Sequence, residues 1–327
     1  MLKVAMLSKW HVHAGGYANE IQKSGKAEIT AVWDDDKTRG AEWAKALGAE
    51  FVPCLDTLLK RGDIEAVVCD APTTAHKDVM VKAADAGKHI FTEKALAPTL
   101  AECNEIKEAV LKAGVTFVIS YPQRGRGNVQ FAKRLIDSGE LGKISLVRFR
   151  NGHSGVSGNW LPEYWYDKSA AAGGAMMDLG CHPMYTISYL CGKPKRITGL
   201  FNAPLGSKID ENAMAAVEFE NGIIGIAETS FISYSSPEIL EVYGTDGTFI
   251  DCGGSVKFTS KKLSQYVNGF ITPTLPNNKP HPILQFIDAC INGTGSPEGL
   301  GIDDALALTE LLENSYIADE TNKYVIR

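Results

Sequence analysis

A chain of 327 residues exceeds the usual size of one domain, so two are expected. Apolar residues make up 44% and charged residues 22%, which supplies a core without disulfide or metal staples. The net charge of −6 argues against a nucleic-acid partner, which would favour a basic face. Seven cysteines, an odd count with no Cys-x-x-Cys pair, suggest neither a disulfide framework nor a zinc ribbon. The N-terminal apolar run, Val4–Leu7, is too short for a secretory leader or a membrane span, so a cytoplasmic protein is expected.

Along the first part of the chain, apolar strands alternate with helical patterns. Leu2–Leu7, Glu28–Asp34, Ile64–Cys69, His89–Thr92 and Thr116–Ser120 read as strands. Ala14–Lys23, Thr38–Leu47, Ala75–Ala86 and Leu100–Ala113 read as the helices between them, the last two ended by Gly87 and Gly114. Such a series implies an α/β domain with a doubly wound parallel sheet, whose ligands bind beyond the carboxyl ends of the strands. After a helix over Val129–Ser138 the pattern changes. A strand over Gly142–Asn151 and a Gly/Ser/aromatic loop lead to a helix over Met176–Leu190. Strands follow at Arg196–Asn202, Ala213–Phe219, Ile223–Ser230, Ile239–Gly244 and Thr248–Cys252, with Asn221-Gly222 and Asp246-Gly247 as hairpin turns. The second part is therefore α+β with a mostly antiparallel sheet, closed by helices over Pro280–Asn292 and Asp303–Asp319.

Five segments carry chemistry. Asp34 opens the run Asp34-Asp35-Asp36 at the end of the second strand; it suits the adenosine ribose of NAD and disfavours the 2′-phosphate of NADP, or else complements a helix N-terminus. Where a glycine fingerprint is expected, the sequence is Ser8-Lys9-Trp10-His11-Val12-His13, and Gly15 and Gly16 come later. Ser8, Trp10, His11 and His13 are left to meet a pyrophosphate. His11-x-His13 also has the spacing of a metal pair, but no third ligand is in view and no metal is expected. Ala71-Pro72-Thr73 and His76 form a Pro-fixed turn suited to flank a nucleotide, with helix capping as the other reading of His76.

Glu93-Lys94 ends an apolar strand, where burial of charge is costly unless paired. A lysine there can hold a substrate oxygen, or the pair can be an exposed ion pair. In Gly173-Gly174-Ala175-Met176-Met177-Asp178-Leu179-Gly180-Cys181-His182, Asp178 and His182 stand four apart and would share a helix face. A carboxylate beside an imidazole suits a general base, and the two glycines would allow close approach of a ligand. A structural surface pair is the competing reading.

Taken in order, these pieces resemble the glucose–fructose oxidoreductase / inositol dehydrogenase (Gfo/Idh/MocA) family over nearly the whole chain. Ala86-Gly87-Lys88-His89-Ile90-Phe91-Thr92-Glu93-Lys94 is similar to its A-G-K-H-x-x-x-E-K-P, and Gly173–His182 to its G-G-x-x-x-D-x-G-x-H. The resemblance implies a Rossmann domain over 1–121. It implies a substrate-binding and oligomerisation domain with a large open sheet over 122–327, the closing helices packing back on the first. It implies NAD chemistry on a hydroxyl or ketone of a sugar, glycoside, polyol or cyclitol, in a homodimer or homotetramer built through the second sheet. Lys94 would orient substrate and cofactor, Glu93 and Arg124 would lie on the cofactor side, and His182 would be the acid/base, with Asp178 its partner or a substrate ligand. Trp160, Tyr164 and Trp165 stand where substrate contacts vary, or pack within the loop. Two other functions compete: tightly held NAD used for redox-neutral glycoside cleavage or isomerisation, and a non-catalytic ligand sensor. The sequence departs from the family in the glycine-free Ser8–His13 stretch and in Ala95, which stands in place of proline.

Overall fold

The computed structural model describes residues 1–263 and 269–326. The chain divides into two compact units, Met1–Tyr121 with Pro280–Thr309 and Pro122–Lys279 with Glu310–Arg327. In the first unit, β1 (Leu2–Leu7), α1 (Ala14–Ser24), β2 (Ala27–Trp33), α2 (Lys37–Leu47), β3 (Glu50–Phe51), α3 (Leu55–Leu59), β4 (Ala66–Cys69), α4 (His76–Asp85), β5 (His89–Thr92), α5 (Leu100–Ala113) and β6 (Phe117–Ile119) follow in turn. The six strands lie in the order β3-β2-β1-β4-β5-β6 and every pairing is parallel. A parallel sheet covered on both faces needs strands that are apolar throughout, and all four residues of β4 are buried. The order reverses between β1 and β4, so the loops leaving these two strands flank the crevice where such sheets take ligands. β3 and α3 escape a periodicity argument because two and five residues are too few to show one.

The second unit contains α6 (Gly127–Asp137), β7 (Ile144–Gly152), α7 (Lys168–Ala171), α8 (Cys181–Cys191), β8 (Pro194–Asn202), β9 (Asn212–Phe219), β10 (Ile224–Ser230), β11 (Ile239–Gly244), β12 (Gly247–Cys252) and β13 (Ser255–Ser260). α9 (Pro282–Asn292) belongs to the first unit, where Phe286 meets Phe91 at 5.8 Å between ring centres. α10 (Ile302–Thr321) and β14 (Val325–Ile326) follow. The eight-stranded sheet runs β13-β12-β11-β7-β10-β9-β8-β14 and is antiparallel except between β7 and β10. Alternation along β9 buries Ala213, Ala215, Val217 and Phe219 on one face. The single helix expected over Met176–Leu190 is instead one π turn, Met176–Gly180, leading into α8. Among the described residues no helix is long and apolar enough to cross a membrane.

Candidate active site

The first unit gathers most of the residues expected to serve a cofactor. Ser8 leaves β1 at φ 72°, a left-handed conformation that costs a non-glycine residue roughly 1–2 kcal/mol. It thus keeps the backbone turn expected of the missing first glycine, held by its N–H on Trp33 O (2.6 Å) and its hydroxyl on Asp35 Oδ1 (2.7 Å). Asp34, buried at the end of β2, accepts from Lys9 N (2.8 Å), Asp36 N (2.9 Å) and Arg39 Nε (3.1 Å). Burial alone would raise its pKa, but the Arg39 guanidinium and the two amides outweigh this and hold the carboxyl below its ordinary value. α1 begins at His13 with no side-chain cap, and a Cβ at Gly15 or Gly16 would meet open space. Trp10 is buried, so its indole packs inside the unit.

Asp70, the residue after β4, is fully buried, and neither carboxyl oxygen has a hydrogen-bond partner. Burial, and then the neighbouring Glu93, push its pKa well above the usual carboxylate range. In the turn that follows, Ala71 and Thr73 are buried and Pro72 is partly exposed. The His76 ring places Nδ1 2.9 Å from Leu96 O and Nε2 3.0 Å from Ala71 O. Both nitrogens face the protein's own carbonyls, so the imidazole shapes this turn.

Glu93 and Lys94 leave β5 buried, with Lys94 Nζ 3.8 Å from Glu93 Oε2, and the Lys94–Ala95 peptide is cis. Glu93 Oε1 lies 2.7 Å from His13 Nδ1 and 3.6 Å from His11 Nδ1, and it accepts the Tyr17 hydroxyl. Burial pushes this carboxyl up, but the two imidazoles and the Lys94 ammonium reverse the balance and leave it well below the usual range. The exposed ion pair considered for Glu93-Lys94 is therefore excluded by burial.

In the second unit, His182 is buried at the start of α8, with Nδ1 2.9 Å from the Tyr185 hydroxyl. That hydroxyl also accepts from Gln123 N (3.1 Å), and the Arg124 guanidinium stands over the rings of Tyr185 and Tyr189 at 5.9 and 5.6 Å. Asp178 lies on the π turn, close enough to His153 to favour its protonated form against the burial that lowers its pKa. His153 stacks on Phe231 at 4.9 Å and meets Trp160 at 4.7 Å. Trp160 is exposed and Trp165 buried, so only the first presents its indole to solvent.

The paired glycines serve the protein itself. A Cβ on Gly174 would lie 2.3 Å from Asp210 O, and one on Gly173 would lie 2.4 Å from the Tyr316 hydroxyl. The close approach that glycine permits is to Asp210 and Tyr316, which correct the expected approach to a ligand. Tyr316 donates to Asp210 Oδ1 (2.9 Å) and accepts from Gly174 N (3.1 Å) and Met177 N (3.2 Å), and so anchors the turn carrying Asp178. Tyr316→Phe is expected to destabilise the protein by about 1–3 kcal/mol by orphaning these groups. The sign with pH follows from Asp210, whose pKa burial raises despite its hydrogen bonds. Its folded form prefers the proton, so its contribution to stability is lost as pH rises through the folded pKa. Tyr316 stabilises the carboxylate, so thermal denaturation should show a larger penalty for Tyr316→Phe at pH 7 than at pH 4.

Sequence reasoning passed over Asp70, Tyr17, Tyr185 and His153. Asp70 carries the same signal as Glu93, an acid at the end of an apolar parallel strand. Tyr17 lies on the buried stripe of α1 with Ala14, Ala18 and Ile21 and reads as core. Tyr185 stands three residues after His182, a helical neighbour, and nothing local marks His153.

The oxidoreductase family with an NAD-binding Rossmann fold, Gfo/Idh/MocA, matches residues 13–121, and the C-terminal domain of the same family matches 129–250. Over 230 residues the chain is 30% identical to scyllo-inositol 2-dehydrogenase (NAD(+)) of Bacillus subtilis, covering 68% of this chain and 65% of that one. It is 28% identical to 2,7-anhydro-N-acetylneuraminate hydratase of Mediterraneibacter gnavus, covering 72% and 64%. The solved structure of a levoglucosan dehydrogenase with NADH and levoglucosan shares the fold, with a TM-score of 0.87 over 99% of each chain at 20% identity. With matching models for both domains, the chain belongs to the Gfo/Idh/MocA family of NAD-binding oxidoreductases.

Proposed function

We propose that this oxidoreductase interconverts a hydroxyl and a ketone on a sugar, polyol or cyclitol with NAD as its redox partner. The observation that carries the reading is the buried His182 imidazole held at Nδ1 by Tyr185. The Tyr185 oxygen accepts from Gln123 N and has a second lone pair for Nδ1–H. In the tautomer that donates Nδ1–H to this oxygen, Nε2 is unprotonated, which is what a base removing an alcohol proton requires. Lys94 would hold the substrate oxygen as its charge changes, with Glu93 beside it. Asp178 would bind a neighbouring hydroxyl, and Trp160 and His153 would offer flat apolar faces to a ring.

The first unit has features that fit the dinucleotide. The uncapped start of α1, open at Gly15 and Gly16, suits a pyrophosphate, and Asp34 suits the adenosine ribose. Arg39 against Asp34 is also a ready partner for a 2′-phosphate, so NAD preference would rest on the Asp34 charge. When bound, NAD accepts or returns the hydride. The sheet face bearing Leu200 and Ile224 exposes apolar side chains, which supports self-association through this sheet.

Titrating the purified protein with NAD⁺ and NADP⁺, then screening polyols and sugars, tests the proposal. Preferential NAD binding with polyol-dependent reduction is the expected result, and no binding of either dinucleotide would overturn it in favour of a ligand sensor. Likeness to a hydratase favours a second reading, in which retained NAD serves a redox-neutral conversion. Dinucleotide carried through purification and turnover without net NADH would mark it.

A further inference from the structure

We propose that His11, His13 and Glu93 form a binding site for a divalent transition-metal ion. A ligand atom from each of the three lies within 4.8 Å of the others. Around a tetrahedral ion with bonds near 2.0–2.2 Å, neighbouring ligand atoms sit roughly 3.3 Å apart. The His11 Nδ1–Glu93 Oε1 separation of 3.6 Å is close to that, and the His13 Nδ1–Glu93 Oε1 separation of 2.7 Å needs only a small opening. Two histidines and one carboxylate are a ligand set that mononuclear zinc and non-haem iron sites use, with positions left open. The sequence shows two of these ligands. The third comes from β5, eighty residues away, because β1 and β5 both direct their carboxyl ends to the same edge of the sheet.

The surroundings support a cation. Glu93 Oε2 accepts from Lys94 N (3.0 Å), which turns Oε1 toward the imidazoles as an outer-shell contact orients a ligand. Asp70, whose backbone carbonyl accepts from His11 N (3.1 Å), is a second buried carboxyl beside Glu93, with no hydrogen-bond partner on either oxygen. A hydrogen bond to Glu93 accounts for His13, and the His13 backbone N–H donated to His11 Nδ1 at 3.3 Å, which an ion would replace, accounts for the second imidazole. Neither accounts for the buried Asp70 carboxyl, which has no hydrogen-bond partner. The start of α1 opposes a cation with about half a positive charge. The Lys94 ammonium, 3.8 Å from Glu93 Oε2, adds to that, and the two imidazoles and the Glu93 carboxylate must hold the ion against both.

The proposal is independent of the dinucleotide, and its test uses metal alone. The protein is stripped with chelator, dialysed and titrated with Co²⁺, following visible ligand-field absorption and calorimetric stoichiometry. The expected result is one equivalent bound with absorption typical of four- or five-coordinate nitrogen–oxygen ligation, displaced by Zn²⁺. His13→Ala, whose side chain is half exposed and should leave the fold intact, should weaken binding beyond the 10–100-fold that an outer-shell partner is worth. His11→Ala and Glu93→Gln, checked for native melting, should do the same. Absence of stoichiometric Co²⁺ binding would overturn the site, as would binding that His13→Ala leaves unchanged. NAD binding without Co²⁺ binding would sink this site alone, and Co²⁺ binding without NAD binding would sink the proposed function alone.

Discussion

His182→Ala is expected to lower turnover by about 10²-fold or more, the ordinary value of a positioned general base. The imidazole is buried and its Nδ1 is already committed to Tyr185. The remaining nitrogen then has one protonation state suited to taking a proton, and that state is lost as the ring becomes protonated at low pH. The wild-type kcat/KM profile should therefore fall on the acid side, and His182→Asn should remove that limb. Tyr185→Phe should act through His182, shifting the limb while leaving part of the rate. Lys94→Ala is expected to cost a similar factor, because it removes the ammonium proposed to hold the substrate oxygen. Lys94→Met, which keeps the stem, separates lost charge from lost packing. Near-parental activity in both Lys94 and His182 variants, measured with NAD and the substrate found by screening, would overturn the catalytic assignment.

Asp34→Asn is expected to weaken NAD⁺ by about 10–100-fold, the value of one charge-assisted hydrogen bond of roughly 1.5–3 kcal/mol. The same change should improve NADP⁺, because it releases Arg39 from its carboxylate and removes the repulsion of a 2′-phosphate. The dissociation constants of the two dinucleotides measure this, and an unchanged ratio would show that Asp34 does not meet the ribose. A stability effect accompanies it. The folded pKa of Asp34 lies below its ordinary value, so its contribution is present above the unfolded pKa and lost as pH falls through the folded one. The melting difference between wild type and Asp34→Asn should therefore shrink below about pH 4, where the unfolded carboxyl takes up its proton.

The elements that positioned the site were largely legible because they announce themselves locally. Buried parallel strands such as Ala66–Cys69 are apolar end to end, helices such as Leu100–Ala113 end at a glycine in the left-handed region, and hairpins carry Asn-Gly or Asp-Gly. What the two glycines before Asp178 are for was not legible, since Asp210 and Tyr316 come from 36 and 142 residues beyond Gly174. The π turn at Met176–Gly180 was hidden for a related reason: it is set by packing around these residues, and the local pattern there is that of an ordinary helix.

By itself, then, the sequence determined the parallel and antiparallel halves, the family, and the residue types at Asp34, Glu93, Lys94, Asp178 and His182. Only the tertiary structure decided which groups those residues meet. It set Arg39 on Asp34, Tyr185 on His182, and two imidazoles with a tyrosine on one oxygen of Glu93. The division has a physical cause. Strand and helix patterns reflect burial and backbone geometry over a few residues, whereas charge at a site depends on groups that sheet order brings together from distant parts of the chain.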